Sequence, residues 1–144
     1  MANRTYSQGR TIVGGIPRGA DLLLRLNEIC LGEKVRTGTI KAVGAVEKAR
    51  VAYYDQRRKL YTHYELDGGL EILSLSGNVS IKEGIPFVHA HAVFCDSSGQ
   101  TSGGHLAEGT VVFTCEFVIT ELIGDELVRS HDEDTGLTIW KIQP

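Results

Sequence analysis

Three of the five histidines in this 144-residue chain fall close together. They are His89 and His91 in Pro86-Phe87-Val88-His89-Ala90-His91-Ala92-Val93-Phe94-Cys95, and His105 in Thr101-Ser102-Gly103-Gly104-His105-Leu106. The first run reads as a strand. Residues i and i+2 of a strand share a face, with Cα atoms about 6–7 Å apart, so His89 and His91 are within reach of one ion. If Ser97-Ser98-Gly99 is the tip of a hairpin, Cys95 stands opposite Thr101 and His91 opposite His105. Directly opposed residues share a face, with Cβ atoms about 5 Å apart. A two-residue change of register keeps the three together, and a one-residue slip separates them. Gly103-Gly104 is a place where the strand can bend or bulge.

Three neutral imidazoles on one surface suit Zn²⁺ or a similar divalent ion at about 2.0–2.1 Å. A three-ligand site leaves a coordination position open, the arrangement of catalytic rather than structural zinc. Cys95 shares the parity of His89 and His91 but lies about 13 Å along the strand from His91, too far for the same ion. His63 and His131 stand alone in polar segments and read as surface residues. Two carboxylates interrupt apolar runs. Glu116 lies in Thr110–Leu122, either as an exposed or paired residue or as a site residue on a semi-polar cavity. Glu71 alternates with Leu73 and Leu75, either as a buried, hydrogen-bonded structural carboxylate or as a fourth ligand or acid/base.

The elements that must carry these residues are mostly strands. One helix is expected in Ala20–Cys30, where Leu22, Leu26 and Ile29 share a face and Gly32 is a natural stop. Short strands are expected at Arg10–Val13, Thr37–Val43, Val46–Tyr54, Leu60–Leu66, Leu70–Ser76, Phe87–Cys95, Thr110–Leu122 and Leu137–Ile142. Gly44, Asp55–Arg58, Asp67-Gly68-Gly69 and Gly124-Asp125 serve as punctuation. One helix and about eight strands make an α+β domain with a largely antiparallel sheet, spanning 1–144 without a linker.

Composition narrows the function. Lys and Arg number 15 against 18 Asp and Glu, giving a net charge of −3, where binding to duplex phosphates usually brings a basic excess. The one basic cluster, Arg57-Arg58-Lys59, reads as a solvated hairpin tip. The three cysteines, Cys30, Cys95 and Cys115, form no Cys-x-x-Cys and no even-numbered framework, so zinc ribbons and disulfide scaffolds drop out. The N-terminal residues have no apolar core of the signal-peptide kind, and no apolar run approaches the roughly 20 residues of a membrane span. A cytoplasmic protein without membrane contact is expected.

Several segments together resemble the plants-and-prokaryotes-conserved (PPC) domain. They are Gly19–Leu23, Val43-Gly44-Ala45-Val46, Gly69 through Asn78, Pro86–Phe94 with its His-Ala-His, Gly103-Gly104-His105-Leu106, and Arg129 through Gly136-Leu137. The resemblance covers nearly the whole chain in order. It implies an α+β fold assembled as a homotrimer. Plant members follow an AT-hook and mediate self-association, and stand-alone prokaryotic members are commonly described as predicted DNA-binding proteins. The fold is also similar to that of acetolactate decarboxylase, a zinc enzyme with a His-x-His and a downstream histidine, a pattern that His89, His91 and His105 match. Plant domains generally lack these histidines, so the chain resembles the prokaryotic type. It contains no Arg-Gly-Arg-Pro core of an AT-hook, and the decarboxylase's catalytic acid and arginine have no aligned counterpart.

Four readings follow. The first is a homotrimeric metal-binding protein, most simply with zinc, whose pocket serves a small-molecule ligand. The second is a DNA-binding or regulatory protein, as the family is labelled. The third is an assembly domain in which the histidines only stabilise the fold. The fourth is a zinc-dependent, lyase-like enzyme.

Overall fold

The computed structural model describes residues 3–141. In chain order the elements are β1 (Ser7–Ile16), α1 (Leu22–Gly32), β2 (Gly38–Asp55), β3 (Leu60–Lys82), β4 (Ile85–Cys95), β5 (Thr101–Leu106), β6 (Val111–Ile123), β7 (Arg129–Asp132) and β8 (Leu137–Trp140). Strands β1 to β6 form one sheet in the order β1-β6-β2-β3-β4-β5, antiparallel at every pairing. The far end of β2 also pairs with β5, through Val51 with Leu106 and Ala52 with His105, so β2, β3, β4 and β5 close into a ring. Strands β7 and β8 make a separate hairpin. Among the described residues no helix is long and apolar enough to cross a membrane.

The helix begins where a cap is available. Asp21 Oδ1 accepts from the Leu24 N–H at 3.0 Å, satisfying one of the donors that a helix start leaves unpaired. Leu22, Leu26 and Cys30 are fully buried and join the core with Ile40, Val46, Leu75, Val79, Phe94 and Ile119. Asn27 ties the helix to β4, its Oδ1 accepting from the Val88 N–H at 2.9 Å. In β4 the alternation is regular: Val88, Ala90, Ala92 and Phe94 point into the core, and His89, His91 and Val93 point to the other face. That outer face also carries Val13, Val43, Leu73, Phe113 and Val118, all exposed.

The antiparallel sheet, the single main helix and the count of eight strands agree with the sequence reading, but the divisions differ. Gly44 does not end a strand. β2 runs straight through it with φ +143, and a Cβ there would lie 2.2 Å from the Thr114 carbonyl oxygen, so glycine lets β6 approach rather than turning the chain. Asp67-Gly68-Gly69 is likewise a bulge inside β3, not a turn, because Lys48 pairs with Asp67 and Val46 with Leu70. The expected strands on either side of each break are therefore single long ones. β1 extends beyond Arg10–Val13 in both directions, since β6 offers it a full-length partner. β7 has no counterpart in the sequence reading. β8 ends at Trp140: Lys141 is outside the strand, and Ile142, the end of the expected strand, lies outside the described residues.

Candidate metal centre

The β4–β5 turn fixes the register. Asp96 Oδ1 accepts from the Ser98 N–H at 2.8 Å, the Ser98 hydroxyl at 2.7 Å and the Gln100 N–H at 3.0 Å, which holds the tip closed. Cys95 then stands opposite Thr101, and His91 opposite His105, as the turn chemistry implied. Further along, β5 is squeezed between β4 and β2. A Cβ on Gly103 would come within 2.2 Å of the Ala92 carbonyl oxygen, and one on Gly104 within 2.8 Å of that of Ala52. Only residues without a side chain allow this approach, which delivers His105 beside His91 and opposite Ala52.

The three rings meet. Their centroids lie 5.2 Å apart for His89 and His91, 4.9 Å for His89 and His105, and 5.3 Å for His91 and His105. One ring nitrogen from each lies within 4.8 Å of the other two. His89 and His105 are half-buried and His91 is exposed. Burial, reinforced by the Arg129 guanidinium and the neighbouring rings, holds His89 down at about 4. His105 is held at about 4 by burial first, then by His91, Arg129 and His63. Both rings are therefore neutral near pH 7, the state in which a ring nitrogen offers a lone pair.

A guanidinium closes one side. Arg129, from β7, donates through Nε to Ser80 Oγ at 2.7 Å, through Nη1 to the Thr138 carbonyl at 3.1 Å and through Nη2 to Asn78 Oδ1 at 2.8 Å. Nη2 also meets His89 Nδ1 at 3.3 Å. Arginine only donates, so Nδ1 is the acceptor and the ring proton of His89 sits on Nε2. Arg129 further stacks over Phe87 and Trp140, 5.6 Å from each ring centroid. The hairpin that carries it is pinned to the β2–β3 tip: Tyr54 Oη donates to the Thr135 carbonyl at 2.6 Å, and Lys59 Nζ to that of Glu133 at 2.8 Å. Between hairpin and sheet lies a cleft of about 240 Å³, lined by His89, His105, Arg129, Lys82, Tyr61 and Phe87 together with Gly136 to Ile139.

The expected carboxylates are elsewhere. Glu71 is exposed and pairs with Cys95, so the buried alternative for it is incorrect; a bulge between Ile72 and Ser74 breaks the alternation on which that alternative rested. Glu116 is exposed on β6, opposite Val43 and Gly15. Neither joins the histidine cluster or lines its cleft. His63 and His131 are exposed, as expected. Cys30 and Cys115 are buried, and burial pushes their thiols up to about 12 and about 11, so they are inert core residues. The sequence reading assigned no role to Arg129, Lys82 or Tyr61. Arg129 lies 40 positions from His89, and no local pattern links the two.

A family model described as the Plants and Prokaryotes Conserved (PCC) domain matches residues 3–123. The chain belongs to this family. The matched residues of the PCC domain include all three histidines but stop short of the β7–β8 hairpin. Solved structures extend the likeness to that hairpin. A plant- and prokaryote-conserved protein from Pyrococcus horikoshii is 35% identical, with a TM-score of 0.93 over 100% of this chain and 99% of that one. A protein from Archaeoglobus fulgidus described as metal-containing is 38% identical, with a TM-score of 0.92 over 97% and 99%. Among curated sequences, the bifunctional protein GlmU of a Synechococcus strain is 33% identical over 128 residues. That covers 88% of this chain but only about a fifth (19%) of that relative. Likeness to the α-acetolactate decarboxylase of Bacillus subtilis, at 17% identity and a TM-score of 0.54 over 86% and 57%, is one of fold alone.

Proposed function

We propose that this PCC-domain protein holds one divalent metal ion per chain, most simply Zn²⁺, on His89, His91 and His105, and presents it to a small-molecule ligand in the cleft under the β7–β8 hairpin. The observation that carries this reading is the convergence of three ring nitrogens within 4.8 Å. Tetrahedral ligands at about 2.0–2.1 Å from zinc stand about 3.4 Å apart, so small rotations of the rings suffice. The description of the Archaeoglobus relative as metal-containing supports the same reading. Bound zinc supplies a Lewis acid and lowers the pKa of a water on its open position. The chain's own part is to keep two of the ligands neutral, to shield one side of the site with the hairpin, and to set Arg129 against His89.

The assembly proposed is a homotrimer. The outer face of the sheet exposes Val13 at 71%, Val43 at 51%, Leu73 at 51% and Phe113 at 50%, a run of large apolar side chains that a self-associating face would cover. DNA binding draws little from this chain: the net charge is −3, and in the basic cluster Lys59 is already engaged by the Glu133 carbonyl.

Elemental analysis of purified, untagged protein tests the metal. About one zinc per chain is expected in the wild type and none in the His89→Ala/His91→Ala/His105→Ala variant. Equal metal in the two would remove the proposal.

A further inference from the structure

We propose that the ligand of this cleft is a small organic carboxylate, its acid group held by Arg129 and Lys82 beside the metal. The inference deepens the metal reading and rests on it. Its starting point is a charge imbalance. Arg4, Arg10, Arg18, Arg25 and Arg36 each pair with a carboxylate. Among the described residues Arg129 and Lys82, like Arg50, Arg57 and Arg58, have no such partner; what sets these two apart is that no carboxylate lines the cleft they share. Arg129 is half-buried, and both cations lie against one ring: Lys82 Nζ is 5.1 Å and Arg129 Cζ 5.6 Å from the Phe87 centroid. A divalent ion on three neutral imidazoles adds two more positive charges. In an acidic protein, an uncompensated positive pocket of this kind is a site for an anion.

The donors of Arg129 indicate which anion. Of its five N–H groups, Nε serves Ser80, one on Nη1 serves Thr138, and the two on Nη2 serve Asn78 and His89. The His89 contact needs the Nδ1 lone pair. In a metal-bound neutral imidazole that lone pair is gone: either the ion takes it, or Nε2 binds the ion and Nδ1 carries the proton. Loading the metal therefore releases the Nη2 N–H and leaves one free donor on each terminal nitrogen. Two donors from one guanidinium match the two oxygens of a carboxylate. Lys82 adds a third cationic donor, and Tyr61 lines the same space. Phe87, Leu137 and Ile139 offer apolar surface to a short carbon body, which a bare phosphate lacks. At about 240 Å³ the cleft is below the roughly 300–1,000 Å³ that receives drug-sized ligands.

Calorimetric titration of zinc-loaded and metal-free protein with lactate, lactamide and inorganic phosphate tests this, with metal content measured on every sample. Lactamide keeps the body of lactate without the charge. Lactate is expected to bind the loaded protein at least about tenfold more tightly than lactamide, and more tightly than phosphate. Lys82→Gln should weaken lactate binding about tenfold with its zinc content unchanged. Equal binding of lactate and lactamide, tighter binding of phosphate, or an unaffected Lys82→Gln variant that retains its metal would each overturn the proposal. If the wild type holds no zinc, it is the metal reading that fails. The metal-free titration then decides the anion site: weaker lactate binding by Lys82→Gln than by wild type sustains it, and no difference ends it.

Discussion

Acidifying the metal-free protein should cost it stability through two specific rings. His89 and His105 are held at about 4, against an ordinary 6.5. Between those values the unfolded chain binds more protons than the folded one, so stability is complete above about pH 6.5 and drains away as pH falls towards 4. A displacement of about 2.5 pH units at 1.36 kcal/mol each sets a ceiling of about 3.4 kcal/mol per ring. Both rings keep contact with solvent, which screens the effect, and about 1–2 kcal/mol per ring is the expected loss. For the pair that is a sizeable part of the roughly 5–15 kcal/mol that holds a domain together. The assay is urea denaturation with a chelator present, at about pH 7 and about pH 4.5 and at one fixed protein concentration. Other groups titrate too, so the comparison is with His89→Gln/His105→Gln, whose side chains bind no proton in this range. The wild type should lose about 2–4 kcal/mol more than the variant between the two conditions. Parallel losses in the two proteins would refute the claim that buried, neutral imidazoles sit at this site.

Gly103→Ala should destabilise the protein by about 2 kcal/mol or more and reduce its zinc content, because the new Cβ meets the Ala92 carbonyl at 2.2 Å and pushes β5 off β4; denaturant melts and metal analysis check both effects. His91→Ala should abolish stoichiometric zinc while leaving the circular dichroism spectrum and, with a chelator present, the urea midpoint nearly unchanged, since this ring is exposed and packs into no core. Val43→Asp should lower the mass seen by light scattering from that of the proposed trimer, three times 15.7 kDa, to that of one chain without unfolding it, because it places a charge on the apolar outer face. Tyr54→Phe should speed hydrogen exchange in β7 and β8, as it removes the 2.6 Å tie to Thr135; unchanged exchange would mean that Lys59 and Arg129 suffice to pin the hairpin.

The histidine cluster was legible because it depends on short-range rules. Period-2 alternation places His89 beside His91, and the Asp96–Gln100 turn sets the register of His105, so one hairpin's worth of sequence contains the information. The glycines were misread for a related reason. Gly44 and Gly68-Gly69 are turn formers by type, but the neighbouring strands run past them, and only those neighbours decide between a turn and a bulge. Arg129 begins one of the segments that resemble the PPC domain, but its place at the site was out of reach. Its place against His89 depends on Ser80, Asn78 and Thr138 and on a hairpin docked by Tyr54 and Lys59, contacts made across 40 or more residues for all but Thr138. Glu71 and Glu116 stood out as charges in apolar runs; both are exposed on their strands, away from the histidine cluster.

That all three histidines lie on a single hairpin, β4 to β5, has a bearing on the denatured protein. His89 and His91 stay two residues apart in any conformation, and bringing His105 to them closes a loop at a cost of about 3 kcal/mol, which metal binding can offset. An unfolded chain therefore keeps most of a ligand set and competes with the folded one for zinc. Linkage stabilises the native state only by the difference between the two affinities. The melting temperature of this protein should rise less on adding zinc than the affinity of the native site alone would imply. During refolding, zinc should be captured early, on the hairpin, before β5 closes the ring against β2.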